Sequence, residues 1–307
     1  MQVRVLGAAA GGGFPQWNAA SEACRRARVG DPTARSATQA SIALSADGER
    51  WLVVNASPDL RAQIEATPAL HPRTGLRSSP IAAIVLTNAD IDAIAGLLHL
   101  REGTPFVVYA HPRVLKILDA NPVFDVVARN LVDRRPIETG ASFHPTDVKG
   151  HPLGMAIEPF LAPGKLPLYL EGGATSLDTA ALDGDTLGLE VTSGERRLVY
   201  LANCARITDE VRRRVRGADL LFMDGTLWRD DEMLVQGVGT KTGARMGHIS
   251  MSGPEGAIAQ LADLPVGRRV FIHVNNTNPA LLADSPERAE LTRAGWDVAH
   301  DGMELNL

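Results

Sequence analysis

Leu86-Thr87-Asn88-Ala89-Asp90-Ile91-Asp92-Ala93 joins two apolar segments of different period. Upstream, Ile81-Ala82-Ala83-Ile84-Val85-Leu86 is an unbroken apolar run of the kind that forms a buried strand, and downstream residues 94–100 carry the apolar face of a helix. Between them stand Asp90 and Asp92. Carboxylates at i and i+2 both reach one cation if the backbone turns between them, and hard or borderline metals accept such oxygen ligands. The alternative is that Asp92 caps the helix while Asp90 faces solvent.

The same reading extends along the chain. Strand-like segments recur at residues 3–7, 40–44, 51–55, 81–86, 106–110, 187–191, 197–201, 220–224 and 270–274. Helical patterns fall at 59–66, 92–101, 112–118, 209–216, 254–264 and 286–294, the last two opened by Ser252-Gly253-Pro254-Glu255 and Ser285-Pro286-Glu287. Short turns, Ser45-Ala46-Asp47-Gly48-Glu49 and Ser193-Gly194-Glu195, mark hairpins. Hairpins begin each half and helices close it, which predicts an α/β (α+β) protein: two mixed sheets face to face in a four-layer αββα sandwich. Residues 145–175, rich in proline and glycine, are expected to form a long surface or lid loop, and residues 1–307 are expected to make one domain.

Composition excludes several classes. The 307 residues are 45% hydrophobic and 22% charged, with a net charge of −5, which disfavours a nucleic-acid or anionic-membrane binder. Arg212-Arg213-Arg214, followed by Arg216, is expected to be a solvated helix face. Two cysteines, Cys24 and Cys204, make a disulfide framework improbable and a cytoplasmic location the expectation. The opening Met1-Gln2-Val3-Arg4-Val5-Leu6 is expected to be a strand and not a signal peptide, and no stretch approaches the ~20 apolar residues of a membrane span.

Four further stretches could carry chemistry. Phe271-Ile272-His273-Val274-Asn275-Asn276-Thr277-Asn278-Pro279 puts a histidine within an apolar strand, costly unless its ring nitrogens have partners, and follows it with amides. The reading stays open between a satisfied core histidine and a site. Leu221-Phe222-Met223-Asp224-Gly225 delivers Asp224 to a strand tip, as ligand or as cap. Residues 239–248 carry Lys241, Arg245 and His248 between glycines, either as an anion clamp with an acid–base histidine or as a plain surface loop. Gly7-Ala8-Ala9-Ala10-Gly11-Gly12-Gly13-Phe14-Pro15-Gln16-Trp17-Asn18 lacks both G-x-G-x-x-G spacing and a P-loop lysine, so close backbone approach to a site is expected and no nucleotide cofactor.

Segments from the whole chain then fall into one order: Ala9 to Asn18, Asn55-Ala56-Ser57-Pro58-Asp59, Leu86 to Asp92 with Gly96-Leu97-Leu98, Asp224-Gly225-Thr226, Gly237 to Gly243, Met246-Gly247-His248, His273 to Pro279 and Ser285 to Ala289. Together they resemble the PqqB family of pyrroloquinoline quinone biosynthesis. The resemblance implies a metallo-β-lactamase fold, a cytoplasmic role and a small-molecule or short-peptide precursor as partner, with a homodimer as the candidate assembly. It also implies an Fe(II)-dependent oxygenase, with zinc as the stand-in metal, that hydroxylates the tyrosine ring of a glutamate–tyrosine unit. A carrier of the product, active in transport, is the second implied role.

Hydrolases of the metallo-β-lactamase type carry His-x-His-x-Asp-His where this chain has Asn88-x-Asp90-x-Asp92-Ala93. The family's retained metal position uses the closing Asp-His pair and the late-strand histidine. Asp92 and His273 match; Ala93 does not, and a methyl group donates no electron pair. One imidazole and one carboxylate fall short of a facial triad, so Asp90, Asp224 or His248 would have to complete the set. In this expectation Asp92, His273 and Asp90 hold the metal, while His248 and Asp224 serve catalysis. Lys241 or Arg245 engages a substrate carboxylate, and Asn88, Asn275, Asn276 and Asn278 line the pocket. Where many members carry Cys-x-Cys-x-x-Cys, Ala19, Ser21 and Cys24 stand here, so a structural zinc is expected to be lost or weak. The rival readings are a non-catalytic binder of the cofactor or its precursor, favoured by Ala93, and a metal-dependent hydrolase, disfavoured by Asn88 and Asp90.

Overall fold

In the computed structural model, which describes residues 1–172 and 178–307, two hairpin starts each lead into parallel crossovers. β1 (Gln2–Gly7), β2 (Ser41–Ser45) and β3 (Trp51–Val54) pair antiparallel, and β4 (Ile81–Leu86), β5 (Phe106–Ala110) and β6 (Val132–Pro136) continue in parallel. The second half repeats the plan. β7 (Ala156–Leu161), β8 (Leu187–Ser193) and β9 (Arg196–Leu201) are antiparallel, and β10 (Leu220–Asp224), β11 (Arg268–Ile272) and β12 (Trp296–Val298) are parallel. β13 (Glu304–Asn306) returns to pair with β1. The seven-stranded order β13-β1-β2-β3-β4-β5-β6 and the six-stranded order β12-β11-β10-β9-β8-β7 are the two mixed sheets of the αββα sandwich.

Strand periodicity decides the layers. On β10, Leu220 and Phe222 point between the sheets to join Ile42, Val54 and Val270, while Leu221 and Met223 point outward onto Val211 and Val215 of the helix Asp209–Val215. On β3, Leu52 and Val54 face inward. Trp51 and Val53 face the helices Leu60–Glu65 and Pro112–Ala120 through Leu60, Val114 and Leu118. Central strands covered on both faces must be apolar at every position, as residues 81–86 and 106–110 are. Among the described residues, no helix is long and apolar enough to cross a membrane.

Several expectations need correction. The stretch expected to be a loop contains β7, the edge strand beside β8, whose outer side carries only a short bridge from Phe143 to Ile157, so Pro159 can sit there without interrupting a long ladder; residues 173–175 of that stretch lie outside the described residues. The pattern at 254–264 yields only the helix Ala257–Gln260, because the Ser252 hydroxyl donates to Trp228 O (2.7 Å) instead of capping and Gly253 takes φ +85°. The helix after Asp92 tightens into a 3-10 turn over Ala95–Leu100. There Gly96 lies so close to the neighbouring chain that a Cβ would sit 2.0 Å from Ser57 O.

The arginine run is not a uniformly solvated face. Arg213 is exposed beside Glu210, but Arg214 reaches Glu158 on β7 (2.6 Å), Glu190 on β8 (3.4 Å) and Glu210 (2.8 Å), pinning its helix across the sheet edge. Arg214→Met should therefore cost about 1–3 kcal/mol in urea unfolding, because it strands partly buried carboxylates. Arg213→Met should stay within about 0.5 kcal/mol.

Candidate metal centre and its cavity

Three strand ends and one helix end converge at one edge of the sandwich. β4 ends ahead of Asp90 and Asp92, β10 delivers Asp224 with Thr226 just beyond, and β11 ends one residue before His273. His248 follows the short helix Gly243–Met246 and its left-handed Gly247. His273 is outside the strand expected to contain it: its φ of +62°, rare for a residue with a side chain, breaks the ladder and turns the ring toward the other half.

The Asp224 carboxylate, fully buried, organises this edge. Its Oδ1 accepts from Thr226 N (3.0 Å) and Thr226 Oγ1 (2.7 Å); its Oδ2 accepts from Cys204 N (2.8 Å) and lies 2.7 Å from His248 Nδ1. With its only proton given to Asp224, the Thr226 hydroxyl can only accept from His273 Nδ1, 2.9 Å away. That assignment aims His273 Nε2 at Asp92 Oδ2, 2.8 Å distant. A lone pair facing a carboxylate is repulsive, so the position between them demands a proton or a cation. The His248 and His273 rings stack at 5.3 Å, and ligand atoms of Asp224, His248 and His273 all lie within 4.8 Å of one another.

Charge follows this geometry. Burial works against ionisation of Asp92, but the hydrogen bond and charge of His273 outweigh it and hold Asp92 below the usual carboxylate range. Burial likewise opposes the His273 imidazolium, and Asp92 overrides it, raising His273 above its ordinary value. Asp90 goes the other way, pushed up to about 6 by burial and by the charge of Asp92. In metal-free protein the contribution of Asp92 is present above about pH 4 and is lost as pH falls through its depressed value. That of His273 is present below about pH 6.5 and is lost as pH rises through its raised value. The thermal gap between wild type and Asp92→Asn should thus be widest between these limits and shrink as pH rises through the raised value of His273; a gap independent of pH would refute the ion pair.

A cavity of about 530 Å³ opens onto this edge, walled by Asp90, Asp92, His248, His273, Lys241 and Asn275 among others. A larger recess of about 790 Å³ behind it shares only His248 and touches neither Asp92 nor His273, so the smaller space is where the chemistry lies. The glycine-rich loop approaches as expected: Ala10 N donates to Val274 O (2.9 Å), and Gly11 lies beside Asp92 at the wall.

The expected residues are sorted differently. Asp224 and His248 join His273 in the donor cluster, whereas Asp90 stands apart in the wall, because the turn starting there places the carboxylate of Asp92 against His273. Asn88, Asn276 and Asn278 are not in the wall. Their amides bond Asn203 Oδ1 (3.1 Å), Gln16 Oε1 (2.6 Å) and Gly225 O (3.0 Å), respectively. Lys241 and Arg245 already face an internal carboxylate, Glu171. Lys165, Tyr169, Asn203 and Thr226 also line the cavity and carry no motif that would single them out. At the segment where a structural zinc is expected to be lost or weak, Ser21 Oγ accepts from Cys24 N (3.2 Å) as the cap of helix Glu22–Arg28, and Cys24 is buried with Phe14 and Ala27.

Comparison with known proteins agrees with this geometry. The family described as a beta-lactamase superfamily domain matches residues 50–274. The chain is 57% identical over 303 residues to the coenzyme PQQ synthesis protein B of Gluconacetobacter diazotrophicus, covering 98% of each. It is 52% identical to that of Methylorubrum extorquens, covering 100% of each. The crystal structure of Zn(2+)-bound PqqB from Methylobacterium extorquens superposes with a TM-score of 0.96 at 51% identity, over 100% of both chains. A diphosphatase of the PhnP family, at 20% identity and a TM-score of 0.68, shares the fold.

Proposed function

Because this chain belongs to the PqqB family of the beta-lactamase superfamily, we propose that it works in pyrroloquinoline quinone biosynthesis as an Fe(II)-dependent hydroxylase of the tyrosine ring in a glutamate–tyrosine precursor. The observation that carries the reading is the meeting of His273, His248, Asp224 and Asp92 at a cavity edge where one nitrogen faces one carboxylate across 2.8 Å. Imidazole and carboxylate donors suit ferrous iron and zinc alike, and the zinc named for the Methylobacterium relative supports a cation here. Bound there, iron would supply the oxygen chemistry that no side chain possesses.

The chain's own residues do the rest. Thr226 fixes the protonated nitrogen of His273, so the other nitrogen is the donor. Asp224 does the same for His248, leaving Nε2 as the nitrogen free to serve as a donor. Lys241, in the cavity wall, would engage a precursor carboxylate with Arg245 beside it at Glu171, and Asn275 and Asn203 offer polar contacts in the wall.

Anaerobic loading with ferrous iron should give about one metal per chain, as a single donor cluster predicts, and oxygen with a two-electron reductant such as ascorbate should then add one oxygen atom to a glutamyl-tyrosine peptide by mass spectrometry, the second oxygen atom leaving as water. No metal uptake would overturn the reading. The second reading, a binder of precursor or product, is favoured by Ala93, which is buried and supplies no ligand beside Asp92. Ala93→His should tighten ferrous binding by at least roughly ten-fold, at an overpacking cost of about 1–3 kcal/mol seen as a lower melting temperature. Tight iron binding without any product in that variant would favour the binder.

A further inference from the structure

Glu171 is almost wholly buried, and three cations surround it. Its Oε1 lies 2.9 Å from Lys165 Nζ, and its Oε2 lies 3.4 Å from Lys241 Nζ and 3.2 Å from Arg245 Nη2. Despite its burial, the hydrogen bond and charge of Lys165 hold this carboxyl at about 2, so it is ionised at any working pH. One negative charge against three positive ones leaves an excess of two. Arg245 Nη1 is buried with no hydrogen-bond partner among the described residues. Asp90 is near enough to feel Lys165 yet makes no ion pair with it among the described residues.

The arrangement has two sides. Lys165 and Lys241 form part of the cavity wall with Asp92 and His273, whereas Glu171 stands behind that wall. We propose that Lys165, Lys241 and Arg245 make up an anion subsite that Glu171 occupies as an internal ligand, and that a carboxylate entering from the cavity displaces it. Glu171 is then a specificity-determining residue. It compensates the cations when no ligand is present and raises the threshold for weak anions. A neutral analogue cannot displace it, since it brings no charge to replace the one it removes. The inference rests on the biosynthetic reading only for the identity of the natural carboxylate.

The test uses full-length protein and isophthalate, an aromatic dicarboxylate, against its uncharged diamide, isophthalamide. In Glu171→Gln, isophthalate should bind roughly ten-fold more tightly than in wild type, the scale of one charge-assisted hydrogen bond, with isophthalamide unchanged. Lys165→Met should weaken isophthalate in either background. Unchanged or weaker isophthalate binding by Glu171→Gln, or equal tightening for the diamide, overturns the proposal. If the variant is less stable, isophthalate must still raise its melting temperature more than it raises that of wild type; an equal or smaller rise overturns it too. Glutamyl-tyrosine, titrated in parallel, separates the two readings. Its failure to bind alongside tightened isophthalate counts against the biosynthetic role and supports the subsite, whereas its binding without any effect of Glu171→Gln does the reverse.

Discussion

His273→Ala is expected to lower metal affinity by more than roughly 100-fold, because even outer partners of a ligand are worth 10–100-fold and this ring is itself a donor. The loss has three parts. The Nε2 donor disappears, Asp92 loses the partner 2.8 Å away that holds it ionised, and Thr226 loses the N–H that ties its hydroxyl into the Asp224 network. Metal analysis after anaerobic loading reads the first; if the proposed function holds, oxygen incorporation into the glutamyl-tyrosine peptide falls to background with it. Alanine also leaves a side chain at φ +62°, so His273→Gly should be the more stable of the two variants by about 1 kcal/mol while being equally unable to bind metal. An alanine variant that still takes up one tightly held ion would sink the assignment of His273.

Asp224→Ala should have the largest effect on stability, about 3–5 kcal/mol in denaturant unfolding, the usual cost of removing one partner of a buried ionic cluster. The residue is fully buried, and its two oxygens take hydrogen bonds from the Cys204 and Thr226 backbone, from the Thr226 hydroxyl and from His248. The Cys204 and Thr226 backbone N–H groups and the Thr226 hydroxyl would be left without an acceptor. Asparagine is no remedy: whichever way the amide turns, its NH2 faces a backbone N–H. Asp224→Asn should therefore also destabilise, by about 2 kcal/mol, and release His248 from its tautomer. A loss below about 1 kcal/mol in both variants would show that the cluster is solvated and not the closed unit described above.

The sandwich was legible because its central strands obey one rule. Residues 81–86, 106–110 and 220–224 are covered on both faces and so are apolar throughout, with polar residues held to their tips. The edge strands obey no such rule. β6 reads Val-Asp-Arg-Arg-Pro, β7 contains Pro159, and β12 and β13 have three residues each, too few to show a period. At the site, Asp92, Asp224, His248 and His273 stood out because ionisable residues at apolar strand ends are expensive. Thr226 did not, though it links both histidines to Asp224, since a threonine after a glycine looks like any turn residue. Glu171 and Lys165 were also hidden. Their meeting with Lys241 and Arg245 spans about 70 positions of chain, and long-range pairing of charges leaves no local pattern. The asparagines misled for the opposite reason: Asn278 is conspicuous in sequence, but its side chain spans Gly225 O and the N–H of Ala280 to hold a turn.

The donors around the cation position are divided between the two sheets. Asp92 follows β4 of the first, while Asp224 and His273 follow β10 and β11 of the second. The second half gathers Asp224, His248 and His273, and only with Asp92 from the first half is the set of four complete. An ion seated there would act as a bolt through both leaves of the sandwich, so uptake by a refolding chain would report the moment the leaves close on each other, later than any signal from secondary structure alone.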